Sequence, residues 1–100
     1  MASKKRILAR LNIEVIGPSK PLAIRWSNDG PIVYVVISNE EVARTREVEE
    51  DVLADYDSNG DLVGFEVVGA IRSREVDIPL RVGTNERVKS EKWELVGAGM

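Results

Sequence analysis

One five-residue segment, Asp57–Asp61, constrains the fold of this chain more than any other. Its sequence is Asp-Ser-Asn-Gly-Asp, and the Asn-Gly pair readily adopts the positive φ angles of a tight hairpin turn. Apolar residues alternate with other residues on both sides of the segment, at Val52, Ala54 and Tyr56 before it and at Val63, Phe65 and Val67 after it. A period of two is typical of a half-buried strand. The segment therefore predicts the turn of an antiparallel β-hairpin.

The same period predicts strands upstream of the hairpin. Apolar residues alternate from Ile7 to Val15, with Leu8 as the exception, and again at Leu22, Ile24 and Trp26. The run Ile32–Ile37 is apolar at every position and mostly β-branched, which predicts the central strand of the sheet, covered on both faces. The segment Val42–Val48 is polar and carries two arginines, which is typical of an edge strand.

Downstream of the hairpin the pattern leaves one segment open. Val76, Ile78, Leu80 and Val82 alternate, but Pro79 restricts that strand to an edge of a sheet. Residues 84–92 fit a short helix with Thr84 as N-cap, and they fit equally well a last strand that continues through Trp93 and Leu95. The fold class predicted is mainly β, a small antiparallel β-meander, with a short C-terminal helix (an α+β fold) as the alternative.

Length and composition predict one domain and exclude several kinds of chemistry. A chain of 100 residues is a single-domain length, and we expect residues 1–6 to be a basic tail and residues 97–100 to be frayed. The chain has no cysteine and no histidine, which excludes disulfides, thiolate metal sites and histidine as a general base. The net charge of −3 disfavours nucleic-acid binding. No apolar run is long enough to span a membrane and no signal peptide is recognisable, so we expect a cytoplasmic protein.

A calcium-loop pattern overlaps the predicted hairpin. Asp55–Gly60 followed by Glu66 fits D-x-[DN]-x-[DN]-G-x₅-E, with Asp55, Asp57, Asn59 and Glu66 as the oxygen ligands. Helices flank an EF-hand loop, whereas strands flank this segment. At about 3.3 Å per residue, the return strand carries Glu66 away from the turn, and one coordination sphere does not close. We therefore interpret the segment as a turn.

The remaining candidates for chemistry have simpler structural interpretations. Glu40, Glu41 and the acidic residues 49–51 could bind magnesium but are typical of solvated turns. The glycines at 60 and 64 lie within the hairpin with no helix N-terminus to receive a phosphate, and Arg44 and Arg46 alternate on the predicted edge strand. We expect the aromatic residues Trp26, Tyr34 and Trp93 to be core or interface anchors rather than stacking platforms. No catalytic, cofactor or metal residue is predicted.

The stretch from Trp26 to Ala70 resembles a known family. The segments 32–38, 42–48 and 55–67 resemble the YuzE-like family of small prokaryotic domains of unknown function (domain-of-unknown-function family 2283). The chain lacks the family's Tyr-Asp pair and Asp-Ala-Leu lead-in, having Trp26-Ser27 and Gly30–Val33 there instead. The resemblance implies a β-hairpin core and no known activity. Because some members are thought to lie beside toxin-like genes, it also implies an antitoxin-like role with a toxin-like partner.

These observations favour a non-enzymatic protein-interaction module that acts through a sheet edge or an exposed face. Two alternatives stay open: a divalent-metal or small-ligand binding domain that uses carboxylates of the 55–66 hairpin, and weak nucleic-acid binding through the basic N-terminus. A single sheet of this size leaves one face uncovered, which predicts a homodimer.

Overall fold

A computed structural model describes residues 13–27, 32–69, 73–82 and 89–97 of the chain. The described residues form eight β-strands and no helix: β1 (Ile13–Ile16), β2 (Ala23–Ser27), β3 (Ile32–Val36), β4 (Arg44–Glu49), β5 (Val52–Tyr56), β6 (Leu62–Val68), β7 (Arg74–Pro79) and β8 (Ser90–Gly97). No helix able to cross a membrane is found in these residues.

The strands pair into two antiparallel sheets. The larger sheet has the order β2-β3-β6-β5-β4, and the smaller sheet has the order β1-β8-β7. The prediction of a mainly β, antiparallel fold is confirmed, and Pro79 lies on an edge strand as expected. The C-terminal helix is not seen, because Ser90–Gly97 is a strand, and residues 83–88 lie outside the described residues. Residues 1–12, with the predicted basic tail and most of the predicted first strand, and residues 98–100 of the predicted frayed C-terminus also lie outside them. Gly97, the first residue of that predicted C-terminus, is the last residue of β8 and pairs with Ile13.

One hydrophobic core lies between the two sheets. Alternate residues of β3, β5 and β6 point inward from the large sheet and are fully buried, among them Val35, Ala54 and Phe65. The small sheet contributes Val76, Ile78, Trp93 and Leu95. The rings of Phe65 and Trp93 meet across the interface with centroids 5.5 Å apart, a distance typical of favourable aromatic pairs. Ile13 and Val15 of β1 also pack against this core, so strands from both the N-terminal and the C-terminal parts of the chain complete it.

The structure corrects two expectations about how this sheet is covered. The run Ile32–Ile37 is not covered on both faces: Val33 and Val35 are fully buried, whereas Ile32, Tyr34 and Val36 are only half-buried on the outer face. The middle strand is β6, since β3 lies one place from the edge. The inner face of the large sheet is covered by the chain's own second sheet, which removes the reason from which a homodimer was predicted.

The small sheet covers the large one asymmetrically. On the β4 side the layers are tied together, since Glu49 Oε2 accepts a hydrogen bond of 2.7 Å from the Asp77 backbone N–H and Glu49 Oε1 lies 3.9 Å from Arg74 Nη2. The Tyr56 hydroxyl also donates to the Pro79 carbonyl oxygen at 2.7 Å. At the opposite edge, Ile24 of β2 faces the core side but is left exposed by the described strands of the small sheet.

Candidate functional site

The predicted hairpin turn is present and is stabilised by one carboxylate. Asp57 Oδ1 accepts hydrogen bonds from the backbone N–H groups of Asn59 (2.9 Å) and Asp61 (3.0 Å). Gly60 has a φ of 84°, a conformation that glycine adopts without strain, and its N–H donates to the Asp57 carbonyl oxygen at 3.0 Å. The turn thus uses the Asp-x-Asn-Gly sequence for its own backbone bonds.

The calcium-loop residues do not assemble around a common centre. Asp57 is engaged by the turn, and Asp55 lies on β5 where its carboxylate accepts bonds from two other side chains. Glu66 lies on β6 opposite Leu53, two residues along the strand from the partner of Asp55. Among the described residues no three carboxylates are grouped in a way that could hold a metal ion.

A polar cluster crosses the outer face of the large sheet and is centred on Asp55. The Tyr34 hydroxyl on β3 donates to Asp55 Oδ2 at 2.7 Å, and the Thr45 hydroxyl on β4 donates to Asp55 Oδ1 at 2.5 Å. Tyr34 reaches β5 by passing over β6 at Gly64, where a Cβ atom would lie 2.6 Å from the Tyr34 hydroxyl oxygen. A glycine inside a strand often marks such a close approach. The cluster therefore joins β3, β5 and β4 over a glycine.

The electrostatics of this cluster favour a structural role. Burial raises the pKa of Tyr34 well above its ordinary value, and the hydrogen bond to Asp55 raises it further. At neutral pH the phenol therefore stays protonated and acts as a donor, since deprotonation would place a negative charge beside Asp55. Both oxygens of Asp55 already accept hydrogen bonds. The cluster supplies neither a free base nor an activated nucleophile.

An open cleft of about 410 Å³ lies beside the hairpin turn. Its lining includes Arg44 together with Asp57, Ser58 and Asn59. The arginine and the aspartate carry opposite charges, and the aspartate is committed to the turn. The lining also includes Val82, which is followed by residues outside the described part of the chain. The cleft therefore does not select one class of ligand.

The edge strand β2 presents an apolar strip that the described strands of the small sheet leave partly exposed. Ile24 pairs with Val35, and Trp26 pairs with Val33, so these two residues point to the same side as the buried core. Ile24 is nevertheless 44% exposed, Trp26 is only half-buried, and Leu22 just before the strand is 58% exposed. The core-facing side of the large sheet therefore stays apolar at its β2 edge, beyond the part that the small sheet covers.

The two edges of the large sheet differ in their protection against further pairing. The edge strand β4 carries four charged residues and a bulge between Glu47 and Glu49, both of which discourage the addition of another strand. The edge strand β2 carries one charged residue, Arg25, and pairs with β3 without a break in register. Among the described residues no strand lies on the free side of β2.

The other residues considered from the sequence are found in separate places. Glu40 and Glu41 are exposed, Glu50 and Asp51 form the turn between β4 and β5, and Arg44 and Arg46 are exposed on the edge strand β4 as predicted. Trp93 is a core residue as expected, and Trp26 packs against the core. Tyr34 is not a core residue, because its ring lies on the outer face.

Sequence reasoning missed the roles of Thr45 and Gly64. The glycine within an alternating strand was the available signal for a close approach. Thr45 gave no signal, because its partner Asp55 is identified only by the pairing of β4 with β5.

Comparison with known proteins identifies the central segment. Residues 23–70 match the model of the family described as "Protein of unknown function (DUF2283)". No curated protein and no solved structure matches the chain. The matched segment begins at β2, ends just after β6, and contains the hairpin and all three residues of the Asp55 cluster. Residues 23–70 are therefore similar to the DUF2283 family.

Proposed function

We propose that this protein is a non-enzymatic interaction module that binds another protein along the edge strand β2. The observation that carries the proposal is the exposure of Ile24 on the core-facing side of an unprotected sheet edge, next to the exposed Leu22. Side chains of a strand added at this edge would pack beside Ile24, and burying such apolar surface favours association.

The backbone of β2 supports binding of this kind. The Ile37 N–H donates to the Val63 carbonyl oxygen on β6. Because the backbone groups of successive residues point to opposite sides of a strand, those of Val35 also point to β6, and those of Val36 point to β2. Ala23 is paired with Val36, and the next residue, Ile24, therefore points its N–H and carbonyl groups away from β3. The edge thus offers a hydrogen-bonding pair at the centre of the apolar strip.

The other polar features give less support to catalysis or ligand binding. The chain has no histidine or cysteine, and the Tyr34, Thr45 and Asp55 side chains bond one another. The antitoxin-like pairing implied by the resemblance is the narrower form of the proposal, in which the bound protein is a toxin-like partner.

The proposal is tested by affinity capture from the cytosol of the source cells with two lysine variants. Ile24→Lys places a charge on the apolar strip of β2, whereas Val42→Lys makes the same change just before β4. Ile24 and Val42 are both 44% exposed, which makes the second variant a matched control.

We expect the wild-type protein and Val42→Lys to recover the same partner and Ile24→Lys to lose it. Equal recovery by all three proteins would contradict binding through β2. Circular dichroism of the variants checks that each retains the β fold.

A further inference from the structure

We propose that the strand bound by β2 is the β2 strand of a second copy of this chain, paired antiparallel about a two-fold axis at Ile24. This inference rests on the proposed function, since it names the partner at the same edge. The symmetric pairing would join the two five-stranded sheets into one sheet of ten strands.

The direction of the backbone groups selects this register. Ile24 points its N–H and carbonyl groups to the free side of β2, so two facing Ile24 residues exchange both hydrogen bonds. An axis at Arg25 would bring together residues whose N–H and carbonyl groups are already directed to β3. Of these two registers, only the one centred on Ile24 forms a hydrogen-bonded pair at its centre.

The side chains select the same register. With the axis at Ile24, the two exposed Ile24 side chains meet on the core-facing side, each next to Trp26 of its own chain. On the outer face each Arg25 lies opposite Ala23. An axis at Arg25 would place two arginines directly opposite each other, which is destabilising. The strand is thus self-complementary in one register, as a two-fold interface requires.

Cysteine cross-linking tests the register directly, because the chain has no cysteine of its own. In the proposed pairing the two Ile24 Cα atoms lie about 5.5 Å apart, within the range of about 4.4–6.8 Å that a disulfide bridges. The two Arg25 Cα atoms lie diagonally, about 7–8 Å apart, at or beyond the limit of about 7 Å. We expect Ile24→Cys to form a covalent dimer under mild oxidation and Arg25→Cys to remain uncross-linked.

Sedimentation of the wild-type chain at micromolar concentration supplies the second measurement. We expect a mass of twice the 11.1 kDa chain, reduced to one chain by Ile24→Lys but not by Val42→Lys. A monomeric wild-type mass would overturn the inference, as would faster cross-linking at position 25 than at 24. If a monomeric wild-type protein still captures a different protein that Ile24→Lys loses, the second copy is excluded while the proposed function stands.

Discussion

At the scale of single residues, Gly64 permits the polar cluster on the outer face. Its lack of a side chain lets the Tyr34 ring pass over β6 to reach Asp55 on β5. Asp55 in turn accepts a bond from Thr45 on β4. Three strands are therefore joined by side-chain hydrogen bonds as well as by backbone hydrogen bonds, and this arrangement requires a glycine at position 64.

We expect Gly64→Ala to destabilise the protein by about 1–3 kcal/mol, the usual cost of inserting a methyl group into a filled space. The new Cβ would lie 2.6 Å from the Tyr34 hydroxyl oxygen and 2.7 Å from the Val35 carbonyl oxygen. Urea denaturation measures the loss in the free energy of unfolding.

The matched control is the same substitution in a Tyr34→Ala background. There the cost should fall but not vanish, because the Val35 carbonyl oxygen remains in place. An equal cost in both backgrounds would show that Tyr34 does not pack over Gly64.

At the scale of elements, the local sequence pattern predicted the strands, whereas contacts between distant residues determine the small sheet and the outer-face cluster. The hairpin was predictable because Asp57, Asn59 and Gly60 act within their own turn. The small sheet was not, because β1 pairs with β8 across most of the chain, Ile13 with Gly97. The outer-face cluster was missed for the same reason, since Tyr34 and Asp55 are 21 residues apart.

Two substitutions of Asp57 distinguish the hydrogen bonds that its side chain accepts in the hairpin turn from the effect of its negative charge. Asp57→Ala removes the acceptor of two backbone N–H groups, and we expect a loss of about 1–2 kcal/mol in the free energy of unfolding. Asp57→Asn keeps the Oδ1 acceptor, so its free energy of unfolding should fall less than that of Asp57→Ala. Chemical denaturation compares the variants.

Ser58→Ala is the control for the turn, because Ser58 is exposed and its change should stay within about 0.5 kcal/mol. If Asp57→Ala were as mild as Ser58→Ala, the side-chain bonds would not stabilise the turn. If adding calcium raised the melting temperature of the wild type but not of Asp57→Ala, Asp57 would belong to a metal site instead.

At the scale of the whole molecule, two tyrosines stabilise the fold through hydrogen bonds on opposite faces of the large sheet. Tyr34 bonds across the outer face, and Tyr56 reaches from the large sheet to Pro79 of the small one. The DUF2283 match ends at residue 70, whereas Trp93 and Leu95, which complete the core, come later. The family pattern therefore identifies the large sheet, and the layer that covers it is a separate part of this chain.

We expect the protein to lose stability as the pH rises above about 10. Burial raises the pKa of both Tyr34 and Tyr56 in the folded state above the ordinary value of 10.0. The unfolded chain therefore releases these protons first, so the stabilisation is complete below pH 10 and is lost as the pH rises through the folded-state pKa values. Denaturation at pH 9 and above pH 10, with absorbance of tyrosinate, measures the loss.

Tyr34→Phe is the comparison for this pH dependence, because it removes one of the two groups. Its free energy of unfolding should fall less steeply with pH than that of the wild type. Identical slopes for the two proteins would show that Tyr34 titrates alike in the folded and unfolded states.

The difference between the two edges of the large sheet limits how far assembly can proceed. If both edges accepted strands, each copy would bind two neighbours and the sheets would extend into a fibre. The charges and bulge of β4 discourage pairing at one edge, so the proposed pairing of two copies through β2 would use the receptive edge of the described sheet. In that arrangement, growth through the large sheet would stop at two chains. We expect a variant without the charges and bulge of β4 to polymerise, visible as turbidity or as thioflavin-binding fibres.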